Sequence, residues 1–127
     1  MDFSDFEFLK GYAETEDFPL VICDTAYRIR YMNSVAAEKY KKLGGKNMIG
    51  HSLSVFMDEE ERSKVEMGVE WFKESKENRK LLAIRDTRRC LDIYLWAIRD
   101  EKGELIGFCG KQISRKQDEN TPYEIID

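Results

Sequence analysis

The sequence predicts an α+β fold: a five-stranded antiparallel sheet with helices on one face, plus a helix at the N-terminus. Three observations predict it. Two short strand-like runs, Leu20 to Cys23 and Arg28 to Met32, are separated only by a turn. Three runs of period two follow Lys80, and between the two groups lie two stretches with apolar residues at helical spacing. Short turns join neighbouring strands into hairpins, and the helical stretches split the hairpins into two sets.

Taken in order, Met1 to Phe18 is acidic and aromatic, with Phe3, Phe6, Phe8, Leu9 and Tyr12 spread around more than one helical face, so it must pack on something. Leu20 to Cys23 is an apolar strand ended by Asp24, whose carboxylate holds the amides of the turn through Tyr27. Arg28 to Met32 alternates, which points Ile29 and Tyr31 one way and Arg28 and Arg30 the other. Asn33 or Ser34 caps a helix whose stripe is Val35, Ala36, Tyr40 and Leu43, and Gly44-Gly45 stops it. A connecting segment, Met48 to Met57, leads to Asp58, which with Glu61 forms a capping-box pattern for a second helix. Val65, Val69 and Phe72, joined by Met67 and Trp71, give that helix a wide apolar stripe. Leu81 to Ile84, Cys90 to Arg99 and Leu105 to Ile113 are the remaining strands, with Asp86-Thr87 and Asp100 to Gly103 as turns. Arg115 to Asp127 reads as a loose tail or the start of a connector.

Bulk properties exclude several functions. With 127 residues, 42% of them hydrophobic, the chain suits one domain with one modest core. A net charge of −4 with interleaved bases argues against a nucleic-acid surface. No apolar run approaches the roughly 20 residues that cross a bilayer, and the N-terminus has no signal-peptide pattern, so no membrane association and a cytoplasmic location are expected. Cys23, Cys90 and Cys109 have no metal-type spacing and read as small hydrophobes of a reducing compartment. His51 is the single histidine, which rules out a two-histidine metal site. Gly44-Gly45-Lys46-Asn47 lacks the strand and spacing of a phosphate loop. An enzyme would have to rely on His51 or Asp24, and none is expected.

The strand ending in Asp24, the turn, Ile29 four residues before Asn33, the helix with Ala36-Ala37, and the later Ile49-Gly50 resemble the opening of a PAS domain. Trp96 to Gly107 is similar to the last hairpin of that family, and Gln112-Ile113-Ser114 stands where many members carry Asp-Ile-Thr. The resemblance spans Phe18 to Arg115. It implies residues 1–17 as a helical cap, 18–115 as the domain and 116–127 as tail.

The resemblance also implies a small-molecule cleft between sheet and helices. Its expected lining is Ile22, Tyr31, Met48, Phe56, Met67, Trp71, Leu91, Ile93, Leu95, Ile106, Phe108 and Gly110, with Tyr31, Asn33 and Ser54 as the few polar anchors. Asn33 is also expected at the helix start. Gly110 leaves a gap on an otherwise bulky face, which Trp71, Met67 or a ligand can fill. The cofactor is unknown; haem is disfavoured because Glu59 to Lys76 holds no histidine, and a flavin photoadduct because Ser52 to Met57 holds no cysteine. Leu91, Ile93 and Leu95 are expected to face the helices, which leaves Tyr94 and Trp96 on the outer face. Either the helix with Phe3, Phe6, Phe8 and Leu9 covers them, or a second copy does. Two functions follow: a sensory module that binds a small apolar molecule and relays it by changed packing or dimerisation, or a ligand-free domain that dimerises or holds a signalling partner. Gln112 in place of the Asp of Asp-Ile-Thr removes that family's tie to a following helix.

Overall fold

The computed structural model describes residues 3–126. Its elements are α1 (Asp5–Glu14), β1 (Leu20–Asp24), β2 (Ile29–Met32), α2 (Ser34–Lys39), three single 3-10 turns within residues 41–56, α3 (Glu59–Glu74), β3 (Lys80–Asp86), β4 (Leu91–Arg99) and β5 (Leu105–Ser114). The strands form one antiparallel sheet in the order β2-β1-β5-β4-β3. α2, the 3-10 turns and α3 cover one face of it, and Cys23, Ile29, Met32, Met48, Val69, Phe72, Leu95 and Phe108 form the core between them. Burying each of the larger ones contributes about 1.5–3 kcal/mol.

Local polar chemistry sets the element ends. Asp24 accepts from the amides of Ala26 (2.9 Å) and Arg28 (3.0 Å), which closes the β1–β2 turn. Asn33 is fully buried and uses both ends of its amide. Its Oδ1 accepts from the amides of Ala36 (2.9 Å) and Leu20 (3.1 Å), and its Nδ2 donates to the carbonyls of Phe18 (3.0 Å) and Glu16 (3.4 Å). One side chain therefore caps α2 and holds the start of β1. Asp58 caps α3 by accepting from the Glu61 amide at 2.8 Å. At the other end of α3, Arg99 Nη2 donates to the carbonyls of Phe72 (2.7 Å), Ser75 (3.0 Å) and Asn78 (3.1 Å). A cation thereby satisfies carbonyls that a helix end leaves open.

Several sequence expectations are corrected. A bulge at Arg30 shifts the β1–β2 register between Ile22 and Cys23, so Ile29 and Met32 face the core while Tyr31 pairs with Ile22 on the outer face. Ile106 is likewise the extra residue between the pairs Ile98–Gly107 and Arg99–Leu105, and it is half exposed while Leu105 packs on the core. α2 is shorter than its stripe suggested, and Val35 and Leu43 stay exposed. α3 is rolled so that Gly68, Val69 and Phe72 meet the sheet, because Gly68 lies within about 3 Å, at its Cβ position, of Leu95 and Leu81. Met67, 70% exposed, is thereby turned into solvent and Trp71 to the rim. The capping box at Asp58 is only half formed, the Glu61 carboxylate not being returned to the cap; a complete one forms at Ser4 and Glu7 of α1.

β5 lies tightest against β1 at Gly107, where an added Cβ would stand 2.3 Å from the Cys23 carbonyl oxygen. Gly107→Ala is expected to lower stability by about 2–3 kcal/mol through forced separation of the central strands, measured by urea unfolding. Stability unchanged within error would contradict this packing.

Candidate functional site

The pleat of the sheet places Val21 and Cys23 of β1, Ile29 of β2, Ile93 and Leu95 of β4, and Phe108, Gly110 and Gln112 of β5 on the covered face. Above them stand Tyr40, Leu43, Met48, Leu53, Phe56, Met57, Glu61 and Val65. The two sets do not close completely. Between them lies a cavity of about 200 Å³. Gly110 contributes to it directly, since a Cβ there would meet only Leu95 Cδ2, at 3.9 Å.

Of the residues expected at a cleft, Met48, Phe56, Ile93, Leu95, Phe108 and Gly110 line this cavity. The others lie elsewhere. Ile22 is on the outer face by simple alternation between Val21 and Cys23, Tyr31 is there because of the β2 bulge, and Ile106 is extruded by the β5 bulge. Met67 and Trp71 are turned away by the roll of α3, so neither fills the gap at Gly110. Leu91 sits at the start of β4, opposite Ser114 and beyond the cavity. Asn33 is spent on the four bonds described above, and Ser54 pairs with Ser52 at 2.8 Å. His51 is exposed, with its ring edge-on to Phe56.

The polar groups that do border the cavity are Tyr40, Glu61 and Gln112, which sequence reasoning did not select. Tyr40 read as a helix-stripe residue and Glu61 as half of a capping box. The signal available for Gln112 was its alternation with Phe108 and Gly110 on one strand. Burial pushes the Tyr40 phenol up, and the nearby Glu61 charge adds to it. Burial also pushes the Cys23 thiol to about 12, so it stays protonated and serves as apolar wall. Among the described residues no three His, Cys, Asp or Glu side chains gather as a metal site.

The outer face has a different chemistry. Lys80 lies over the rings of Tyr94 (5.1 Å) and Trp96 (4.9 Å), and Lys111 over Trp96 (5.2 Å). Asp92 pairs with Arg85 through two oxygens (3.0 and 3.2 Å) and with Arg115 at 3.1 Å. These partners hold its carboxyl below the usual range, the Arg85 hydrogen bond first. Arg115 thus ties the chain leaving β5 to β4. The expectation that the N-terminal helix packs is not met by its apolar side: α1 buries no residue, and Phe3, Phe6, Phe8 and Leu9 are 61–71% exposed.

α1 is instead fastened at its last residue. Glu14 accepts from the Tyr31 hydroxyl and from the Ser34 amide at 3.1 Å, and lies 3.6 Å from Lys46.

Comparison with known proteins assigns this architecture. The model of the PAS fold matches residues 14–111. The chain belongs to the PAS fold family. Among solved structures, this PAS fold is similar to the C-terminal domain of a Streptococcus mutans protein, with a TM-score of 0.70, 15% identity, and coverage of 91% of this chain and 92% of that one. It is also similar to the PAS domain of a Colwellia psychrerythraea protein (TM-score 0.62, 12% identity, 87% and 97% covered). A third is the PAS domain of Bordetella pertussis BvgS (TM-score 0.61, 17% identity, 88% and 87% covered). No curated protein matches the chain. The chain is a PAS sensory or signalling domain, and no helix among its described residues is long and apolar enough to cross a membrane.

The Tyr31 hydrogen bond, outweighing burial and aided by Ser34 and Lys46, lowers the Glu14 carboxyl from 4.5 to about 2. A carboxyl depressed by folding adds stability above its unfolded pKa and loses it as pH falls toward the folded value. The stability difference between wild type and Glu14→Gln should therefore be constant above about pH 5.5 and change as pH falls through the interval from 4.5 to about 2, the wild type losing more. Denaturant unfolding across that interval tests it, and a difference independent of pH would contradict the Glu14 contact.

Proposed function

We propose that this PAS domain is a sensor that takes up a small, mainly apolar molecule in the cavity between sheet and cover. The observation that carries the reading is the unfilled space at Gly110. A well-packed core leaves few voids larger than a water molecule, and an apolar cavity of about 150 Å³ is enough to hold benzene. The walls suit such an occupant, being mainly aliphatic, aromatic and thioether side chains with a few polar groups among them.

Relay follows from strand geometry. Gly110 faces the cavity, and its neighbour Lys111 faces the outer side, lying over Trp96 and 3.6 Å from Glu16 in the segment that follows α1. A ligand that favours one position of β5 thereby also favours one arrangement of Lys111, Trp96 and the N-terminal segment. Differential affinity for two packings is all that relay requires.

A second reading is supported by the exposed apolar side of α1. The helix carries Asp5 and Glu7 among its aromatic residues, and the outer sheet face presents Tyr94 and Trp96 beside Lys80 and Lys111. Acids on the helix face lysines on the sheet, so one copy's helix laid on another copy's sheet makes a dimer, with or without a ligand.

One experiment addresses both readings. Native mass spectrometry and thermal melts are recorded for wild type and Trp96→Glu with a panel of small apolar metabolites. Sensing predicts a co-purified small molecule or a stabilising compound; at a hundredfold excess over Kd, binding adds about 2.7 kcal/mol and raises Tm by about 5 °C or more. The dimer reading predicts a dimer that Trp96→Glu converts to monomer. No bound molecule and no stabilisation would overturn sensing at the cavity. A monomeric wild type at high concentration, or a dimeric variant, would overturn the interface.

A further inference from the structure

Building on the cavity as the ligand site, we propose that its ligand is a small primary amine, whose ammonium group is held at the polar border while its ring or chain lies against Gly110. Tyr40, Glu61 and Gln112 all line the cavity, Glu61 exposed at its mouth and the other two half-buried. None of their side chains has a hydrogen-bond or ion-pair partner among the described residues. Asp58 caps the amide of Glu61, yet the Glu61 carboxylate makes no return bond, so it stays available. The neighbouring first-turn acid differs, since Glu60 pairs with Lys64 at 3.4 Å.

Charge decides the class of the head group. Glu61 is the one carboxylate on the cavity lining, and Lys111 is the one base. The Lys111 ammonium is directed to the opposite face of the sheet, 3.6 Å from Glu16 and above the Trp96 ring. The Lys39 ammonium stands 5.4 Å from the centre of the Tyr40 ring but is not part of the lining, so the charge left on the lining itself is that of Glu61, which favours a cation over a carboxylate or phosphate. An ammonium has three donors and no acceptor, and the border offers three acceptor groups: a carboxylate, a phenol oxygen and an amide oxygen. A guanidinium or a sugar would bring more polar surface than the remaining apolar walls can satisfy.

Size limits the rest of the molecule. Compared with the space that holds benzene, about 150 Å³, about 200 Å³ admits a ring with a two-carbon arm, or an aliphatic chain of similar volume.

The test compares three probes of matched shape, 2-phenylethylamine, propylbenzene and 3-phenylpropanoate, titrated into the full chain and followed by amide shifts of Gly110 and Gln112. The amine is expected to bind about fivefold tighter than the hydrocarbon, the scale of one exposed ion pair, and the acid more weakly than both. Glu61→Gln should remove the advantage of the amine and leave the hydrocarbon unchanged, and Tyr40→Phe should reduce it in part. If the hydrocarbon or the acid moves Gly110 and binds as tightly as the amine, or if the hydrocarbon moves Gly110 and the amine binds without doing so, the amine class is overturned while the cavity reading survives. If none of the three moves Gly110 or Gln112, both are overturned.

Discussion

The structure depends on how its helical cover is fastened to the sheet. Asn33, at the start of α2, and Arg99, at the end of α3, each bind several backbone groups across an element boundary. The buried Asn33 amide makes four bonds, and the half-buried Arg99 guanidinium gathers three carbonyls on one nitrogen although its Nε has no partner among the described residues, so each acts as a fixed point through the bonds it makes. All the cover residues that line the cavity, Tyr40 to Val65, lie in the chain between those two points. Much of that stretch is 3-10 turn and loop, which packs less regularly than a helix. Pinned ends with an irregular middle allow the cover to stand off the sheet, and the missing side chain at Gly110 deepens the gap that results.

The same sheet carries two unlike faces. Its covered face is mainly apolar and forms the floor of the cavity, which opens to solvent at one side; its outer face holds aromatic rings under lysine ammonium groups and a carboxylate between two arginines. Because successive residues of a strand alternate between faces, Cys109 and Lys111 lie on the outer face while Phe108, Gly110 and Gln112 lie on the covered one. The Arg115 contact with Asp92 supplies a link between the chain leaving β5 and β4. α1 is joined to this system mainly at Glu14 and through Glu16 just beyond it, so its aromatic residues are left free to meet another surface.

Much of the fold was legible because the polar residues at its joints act locally. Asp24, Asn33 and Asp58 each bind amides two to four residues away, and such signals can be read along a chain. The period-two runs after Lys80 likewise marked strands. What escaped were features with no local signature. A bulge inserts one residue without altering composition, so Tyr31 and Ile106 were assigned to the wrong side. The roll of α3 is set by Leu95 and Leu81 pressing toward Gly68, a contact that the helix's own pattern of Met67 and Trp71 contradicts. Arg99 looked like the end of a strand, although the three carbonyls on its Nη2 are 21 to 27 residues earlier. Tyr40, Glu61 and Gln112 were missed for a similar reason: each is ordinary in its own element, and only the tertiary fold brings them to one cavity.

The central claim is that an accessible apolar space exists between Gly110 and the cover. Diffraction from crystals held under xenon pressure tests it most directly, because xenon occupies apolar cavities of this size without needing a polar anchor. The account predicts a xenon atom in contact with Gly110 and the side chains of Leu53 or Phe56, with the sheet unmoved. A cavity that stays without xenon while other sites fill, or a core in which Leu95 or Phe56 has closed over Gly110, would contradict it.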